Sequence, residues 1–343
     1  MRIAIIVCDN GLGHMRRSIS VAKFITNLGY SVDIFGSKKD FEFLIKNLCI
    51  TNKKFKCINC NFGYNFEYFY NKNPKEFSVI NKIPSLDKYG IVLSDNIIEV
   101  LAIRNDAYLI SQFFWHEILL DINIGYKSKC RELIKKTAPT IFGDKYFSMQ
   151  HIKNKPNYLP TGLYNLNPSN NIVSLNKNTE KRNLLISGGN TLQANKIFTE
   201  YVQFILQNKP RGIDLIFVDK KIFPKKSPSW VKEGSFDTKM FESLICCICR
   251  PGIGTITDCI QYGIKIFTLH ERGNLEMLNN SRILSKLSLG EIISEKSSFI
   301  TQIEDYCNDQ QKYITHIKKC KSINLEGPLD ISKYLFELSK NNK

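Results

Sequence analysis

Residues 244–262 constrain the fold more than any other stretch. An apolar run from Leu244 to Ile248 continues into Cys249-Arg250 and breaks at Pro251-Gly252. It reopens with Ile256, Cys259 and Ile260 on one helical face. A strand that turns through glycine straight into an amphipathic helix leaves the helix's first backbone N–H groups unpaired and pointing outward. The aligned peptide dipoles add positive potential at the same place. Such a terminus, here Gly252, Gly254 and Thr255, is a ready seat for a diphosphate. Asp258, one turn into the helix, is placed to accept hydrogen bonds from a ribose. Together they read as half of a nucleotide-sugar site.

The unit is not isolated, because each half of the chain alternates strand-like and helix-like segments. In the first half, strands are expected at 2–8, 31–36, 91–94, 107–114 and 140–142, with a helix at 15–28 whose Val21, Ala22, Ile25 and Leu28 share a face. In the second, strands are expected at 183–187, 214–218, 245–250, 265–269 and 291–293, with helices at 194–207, 255–262 and 275–287. Such alternation specifies βαβ units and parallel sheets. The expected fold class is therefore α/β, with two Rossmann-like, doubly wound domains facing a central cleft. Ligands in such sheets bind at the carboxyl ends of the strands.

Residues 168–182, rich in Asn, Ser and Lys, read as the linker, with Pro156 and Pro160 closing the first domain. The expected division is 1–165, 166–328, and a final segment 329–343. In that segment Ile331, Tyr334, Leu335 and Leu338 have helical spacing and can pack back on the first domain.

Composition excludes little beyond the obvious. With 343 residues and 43% hydrophobic content the chain suits two globular domains, and no apolar run reaches the roughly 18 residues of a membrane span. Residues 2–7 are too short for a signal peptide and read as a buried strand, so a cytoplasmic location is expected. The eleven cysteines include Cys8, Cys246, Cys247 and Cys249 inside apolar runs, which suits reduced buried thiols. Cys57 and Cys60 have zinc-ligand spacing but no second matching pair. The net charge of +16 is shared between the halves, +9 over residues 1–165 and +7 beyond, and no nucleic-acid motif accompanies it. Nucleic acid is therefore not an expected partner. A basic face can still meet an anionic lipid surface or a phosphorylated substrate.

The candidate chemistry of the first half follows its first strand. Gly11 and Gly13 allow a tight turn, His14 opens the next helix, and Arg17 lies one turn on. An imidazole there can take a proton from a hydroxyl or water, and the arginine can neutralise a phosphate. The bland alternative is a histidine that only caps the helix. A dinucleotide fingerprint fails, because its third glycine position holds Arg16, although Asp33 stands near the offset such a motif expects for its acid. Asp95 and Asn96 follow the 91–94 strand, and His116 follows the 107–114 run. Asp95 either orients His14 or acts as a base, and His116 either contacts substrate or fills a loop. The aromatic run 62–70, flanked by lysines, either stacks on sugars, seats the protein on a membrane, or packs on its own domain.

The sequence at this point resembles GT-B glycosyltransferases. It is most similar to the peptidoglycan N-acetylglucosaminyltransferase group and to the UDP-sugar hydrolase of pseudaminic acid synthesis. Gly11, Gly13, His14 and Arg17 match the hydrolase pattern G-x-G-H-x-x-R, in which the histidine is the proposed base. Asp9 and Asn10 stand where the transferase has glycines. Gly188-Gly189-Asn190 resembles the transferase's phosphate loop, with Asn190 in place of serine. Arg250 through Asp258 resembles its donor motif, with Asp258 in place of a ribose-binding glutamate. Glu276, Met277 and Asn280 fall where relatives carry an acid–glutamine pair and an asparagine. His270 precedes them.

The resemblance implies catalysis by His14 with Asp95 and Arg17. It implies donor contacts from Gly188, Gly189, Asn190, Arg250, Gly252, Gly254, Thr255, Asp258, His270, Glu276 and Asn280. Acceptor contacts would come from Gly11, Gly13, Asn96 and His116. The implied reaction is metal-independent, inverting transfer from a UDP-linked sugar to a glycan or lipid-linked acceptor, with no cofactor beyond the nucleotide-sugar. A nucleotide-sugar hydrolase and a non-catalytic nucleotide-sugar-binding protein are the alternatives. The location implied is the cytoplasm, including the inner membrane face.

Overall fold

The computed structural model describes residues 1–47, 50, 54–64, 78–166, 182–189 and 191–341. The chain divides into two compact units, Met1–Leu166 with Glu326–Lys343, and Asn167–Leu325. The expected linker, apart from Arg182, lies outside the described residues, as do residues 65–70 of the aromatic run and Asn190.

In the first unit the order is β1 (Arg2–Val7), α1 (Leu12–Asn27), β2 (Ser31–Gly36), α2 (Lys38–Asn47), β3 (Phe55–Asn59), β4 (Ile91–Asp95) and β5 (Tyr108–Ile110). There follow α3 (Trp115–Ile118), α4 (Ile124–Thr137), β6 (Ile141–Asp144), α5 (Gln150–Lys153) and β7 (Tyr158–Thr161). All seven strands run parallel, in the order β3-β2-β1-β4-β5-β6-β7. A parallel sheet carries helices on both faces, so its central strands are apolar without alternation. Ile3 to Val7 and Ile91 to Asp95 are accordingly all buried. The C-terminal helix, Gly327–Asn341, belongs to this unit. Ile331 and Leu335 enter the same core as Ile19 and Ile25 of α1. Asp330 accepts from the Gly162 amide at 2.8 Å, and Tyr30 and Ser339 share a hydroxyl bond. Pro328, expected to precede this helix, falls in its first turn, where the missing N–H costs nothing.

The second unit runs β8 (Asn183–Ser187), α6 (Leu192–Gln207), β9 (Ile216–Val218), β10 (Val231–Glu233), α7 (Thr238–Ser243), β11 (Leu244–Cys249), α8 (Ile253–Gln261) and β12 (Lys265–Thr268). It closes with α9 (Leu275–Lys286), β13 (Gly290–Ile292), α10 (Lys296–Asn308) and α11 (Gln310–Lys321). Its six parallel strands take the order β10-β9-β8-β11-β12-β13. Both sheets are thus doubly wound on one plan. Each has a topological switch point, between β1 and β4 in the first and between β8 and β11 in the second.

Three strands escaped the sequence reading, β3, β7 and β10, and each lies at a sheet edge. Edge strands bury only part of their length: β3 and β10 each have one fully buried residue, so the apolar signal is weak. Pro160 sits inside β7, which only an edge position tolerates. The strand expected at 107–114 stops at Ile110, and the residues after it run into α3.

Candidate functional site

At the first unit's switch point, parallel pairing sets Val7 beside Asp95, the last residues of β1 and β4. The chain leaving β1 therefore passes over the Asp95 carboxylate. Gly11 starts α1 with φ +100 and ψ 160, a conformation that side-chain-bearing residues rarely adopt. Open space surrounds both Gly11 and Gly13. One turn later His14 Nδ1 lies 2.7 Å from Asp95 Oδ1. Arg17 grips the same carboxylate with both Nε (2.8 Å) and Nη2 (2.5 Å), and Ser18 Oγ adds a third donor at 3.1 Å. Residues 14, 17 and 18 share one helix face, which is why a single carboxylate can hold all three.

Asp95 is fully buried. Burial alone would raise its carboxyl, but the Arg17 guanidinium and His14 outweigh that and hold it at about 2. A carboxylate only accepts, so the imidazole faces it with Nδ1–H, which leaves the Nε2 lone pair as the proton acceptor. The imidazole retains 13% side-chain exposure, enough to meet a substrate. The Trp115 ring stands beside it at 6.5 Å, and the Tyr164 ring lies over the Arg17 guanidinium.

Other polar residues hold these elements in place. Asp9 accepts from the backbone amides of Gly63 and Tyr64, both at 2.9 Å, and so ties the loop after β3 to the loop after β1. Asn96 has φ 60 and is 2% exposed. Its amide nitrogen donates to the Phe113 carbonyl and Ser111 Oγ, while its oxygen accepts from the Trp115 indole. Asn96 therefore positions Trp115 and turns no polar atom outward. His116 is 1% exposed, stacks on Phe114, and is held near pKa 3 by burial. It too is an interior residue. Asp33 lies in the middle of β2, taken up by Tyr89 and Arg2, so it is not placed as a ribose acid.

At the second unit's switch point Ser187 pairs with Cys249, the last residues of β8 and β11. Gly189 follows with φ +77, a backbone conformation that side-chain-bearing residues rarely adopt, beside the Arg250 side chain. Gly252 caps α8 without a side-chain hydrogen bond, and open space lies around it. Residues 252–255 are half-buried, and the helix's first amides receive no side-chain cap from Gly252. Asp258 is 8% exposed on the same helix.

The nearby side chains hold this loop in shape. Arg250 forms a bidentate pair with Glu271, at 2.7 Å for Nη2 and 3.0 Å for Nε. Burial would raise the Glu271 carboxyl, but Arg250 and Asn274 keep it below its ordinary value. Asn274 both donates to Glu271 and caps α9 by accepting from Met277 N. Asn280, 2% exposed, donates to the Pro251 carbonyl at 3.0 Å. His270 lies half-buried beside Ser281, and Glu276 is half-buried in the first turn of α9.

The structure thus gathers His14, Arg17 and Asp95 into one network, and the 188–189, 250–258 and 270–280 segments at one end of the second sheet. The sequence reading missed Ser18 and Tyr164; it placed Glu271 at the donor end and Trp115 in the 113–117 segment without their partners, Arg250 and the His14 ring. Only Ser18, four residues after His14, carried a local signal. No group of three or more potential metal-ligating side chains occurs among the described residues. No described helix is long and apolar enough to cross a membrane.

No family model and no curated protein matches the chain. Among solved structures it is similar to spinosyn rhamnosyltransferase complexed with thymidine diphosphate, at 13% identity and TM-score 0.64, covering 98% of this chain and all of that one. The calicheamicin glycosyltransferase matches at 11% identity and TM-score 0.63, covering 98% of both chains. LpCGTa in complex with UDP matches at 10% identity and TM-score 0.63, covering 97% of this chain and 98% of that one. The chain has the GT-B fold.

Proposed function

We propose that the protein transfers a sugar from a nucleoside-diphosphate sugar, UDP-linked in the first instance, to a hydroxyl of a glycan or lipid-linked acceptor. The observation that carries the reading is the His14–Asp95–Arg17 network at the switch point of the first sheet. His14 Nε2 removes the acceptor hydroxyl proton as that oxygen bonds to the anomeric carbon and the carbon–phosphate-oxygen bond breaks. Displacement from the opposite face inverts the anomeric centre. The proton rests on the imidazole, whose charge Asp95 offsets, and the nucleoside diphosphate departs with the bonding pair.

The second unit holds the leaving diphosphate with the first-turn amides of α8 and its dipole. Arg250, tied to Glu271, shapes that loop and shares its charge with the carboxylate. Asp258 is the ribose partner and Glu276 the sugar partner in this scheme, and no metal takes part. Similar structures solved with thymidine diphosphate and with UDP support a nucleoside diphosphate as the common element.

The test is release of UDP or thymidine diphosphate from a donor panel, with and without acceptor hydroxyls and with EDTA present. Acceptor-dependent release that survives EDTA is expected. His14→Ala should lower kcat about 100- to 10,000-fold while donor affinity stays unchanged. Equal release without acceptor would make water the acceptor and the protein a hydrolase. Unchanged turnover in His14→Ala would remove the base.

A further inference from the structure

Arg17 uses its guanidinium in two ways. The edge, Nε and Nη2, donates to the Asp95 carboxylate, and the face meets the Tyr164 ring, with Cζ 5.5 Å from the ring centroid. Arg17 is 8% exposed and Tyr164 7%, so little water reaches the stack. A planar guanidinium pairs with a carboxylate through two bonds only when its plane is correctly turned. The ring sets that plane.

Tyr164 is itself held on several sides. It follows β7 at the carboxyl end of the first sheet, and Thr161 Oγ1 donates to its hydroxyl at 3.3 Å. Its backbone pairs antiparallel with Glu326, Gly327 N donates to the Leu163 carbonyl at 3.0 Å, and Gly162 N donates to Asp330 at 2.8 Å. From α1, Ser20 Oγ donates to the Asn165 carbonyl at 2.7 Å and Lys23 Nζ to that of Leu166 at 3.0 Å. A side chain at Gly327 would collide with the Gly162 carbonyl, so these segments meet backbone to backbone. The chain leaves the first unit after Leu166 and returns to it at Glu326. The clamp therefore lies where both crossings join that unit, and Tyr164 links it to the Asp95 network.

We propose that Tyr164 is a positioning residue for the proton transfer. Its ring, fixed by the clamp, keeps Arg17 in the plane that binds both oxygens of Asp95, and Asp95 in turn holds His14. The inference deepens the transferase reading and rests on it for the effect on turnover. Without the ring the guanidinium pivots, the carboxylate shifts under Nδ1, and Nε2 loses its aim at the acceptor hydroxyl. No group of the donor loops takes part, so donor affinity stands apart from the effect.

The test compares the full chain with Tyr164→Phe, which keeps the ring, and with Tyr164→Met, which keeps much of the volume and loses the aromatic face. Tyr164→Leu repeats the measurement with a second non-aromatic side chain, should Tyr164→Met not fold. The readings are water exchange at the Arg17 Nε–H resonance, assigned by its absence from Arg17→Gln, together with kcat and calorimetric UDP affinity. In Tyr164→Met the Nε–H should exchange about tenfold faster and kcat should fall about 10- to 30-fold, the size of one desolvated cation–π contact. Tyr164→Phe should keep both within about twofold, and UDP should bind alike throughout. In an Arg17→Gln background, Tyr164→Met should lower kcat little further, because the ring acts through the guanidinium.

The proposal is overturned if Nε–H exchange is the same in parent and Tyr164→Met, or if kcat is unmoved there while Tm alone falls, as a packing role would give. It is overturned equally if UDP affinity falls in step with kcat. A parent that turns over no donor removes the transferase reading, and the exchange rates still decide whether Tyr164 holds Arg17.

Discussion

The two switch points occupy the same position in sheets whose strand orders match except for the extra edge strand β7 of the first, yet one presents side chains and the other presents main chain. In the first unit a buried carboxylate gathers an imidazole, a guanidinium and a hydroxyl from one helix face. In the second, the helix start carries glycines and uncapped amides, and the nearest strong cation is already held by Glu271. One topology therefore yields a proton-handling site or an anion cradle. The outcome depends on whether the turn into the helix is followed by titratable residues or left bare.

The sharpest way to break this contrast is to remove the carboxylate. Asp95→Ala strands the buried Arg17 charge and should destabilise the protein by about 3–5 kcal/mol, read by denaturant unfolding, with turnover lost. A small stability change would mean that Asp95 does not organise the first site.

Acid sharpens the comparison by asking whether both units fail together. His116 and His316 are each held near 3 by burial, against 6.5 when unfolded. Below pH 6.5 the unfolded chain takes up protons that the folded chain refuses. The stabilisation is therefore whole above pH 6.5 and lost as pH falls toward 3, by up to about 1.4 kcal/mol per pH unit for each histidine. Asp95 acts only later, because its folded value near 2 lies below 3.8 and its contribution is lost between about pH 4 and 2. Urea unfolding between pH 7 and 4 should show this slope, reduced in His116→Gln and in His316→Gln alike. A flat profile would mean that neither imidazole is held neutral.

The smallest expected effect tests the main-chain side. Gly252 has φ −72 and ψ 141, the conformation that precedes proline, so Ile253→Pro fits the first helical position and deletes one amide. UDP should bind about tenfold more weakly by calorimetry, with Tm nearly unchanged. Undiminished affinity would place the diphosphate elsewhere.

Much of this was legible because the signals were local. Residues 183–187 appear as a strand at the positions expected, and the helix expected at 275–287 runs from Leu275 to Lys286, since apolar periodicity acts over neighbouring residues. The edge strands β3, β7 and β10 were not legible, because a half-exposed strand lacks that signal. Glu271 was not legible as the partner of Arg250, because the two are 21 residues apart and meet only when β11 and β12 pair.

The chain alone determined the alternation of strands and helices, the two glycine-led turns, and the residue types that follow them, since these depend on backbone freedom and side-chain periodicity. Only the tertiary structure decided that Asp95, 81 residues from His14, holds the imidazole in one tautomer. It also decided that Asn96 and His116 are interior supports, and that Arg250 carries a neutralised charge. Burial and pairing across a sheet depend on which strands become neighbours, and that follows from the packing of the whole unit.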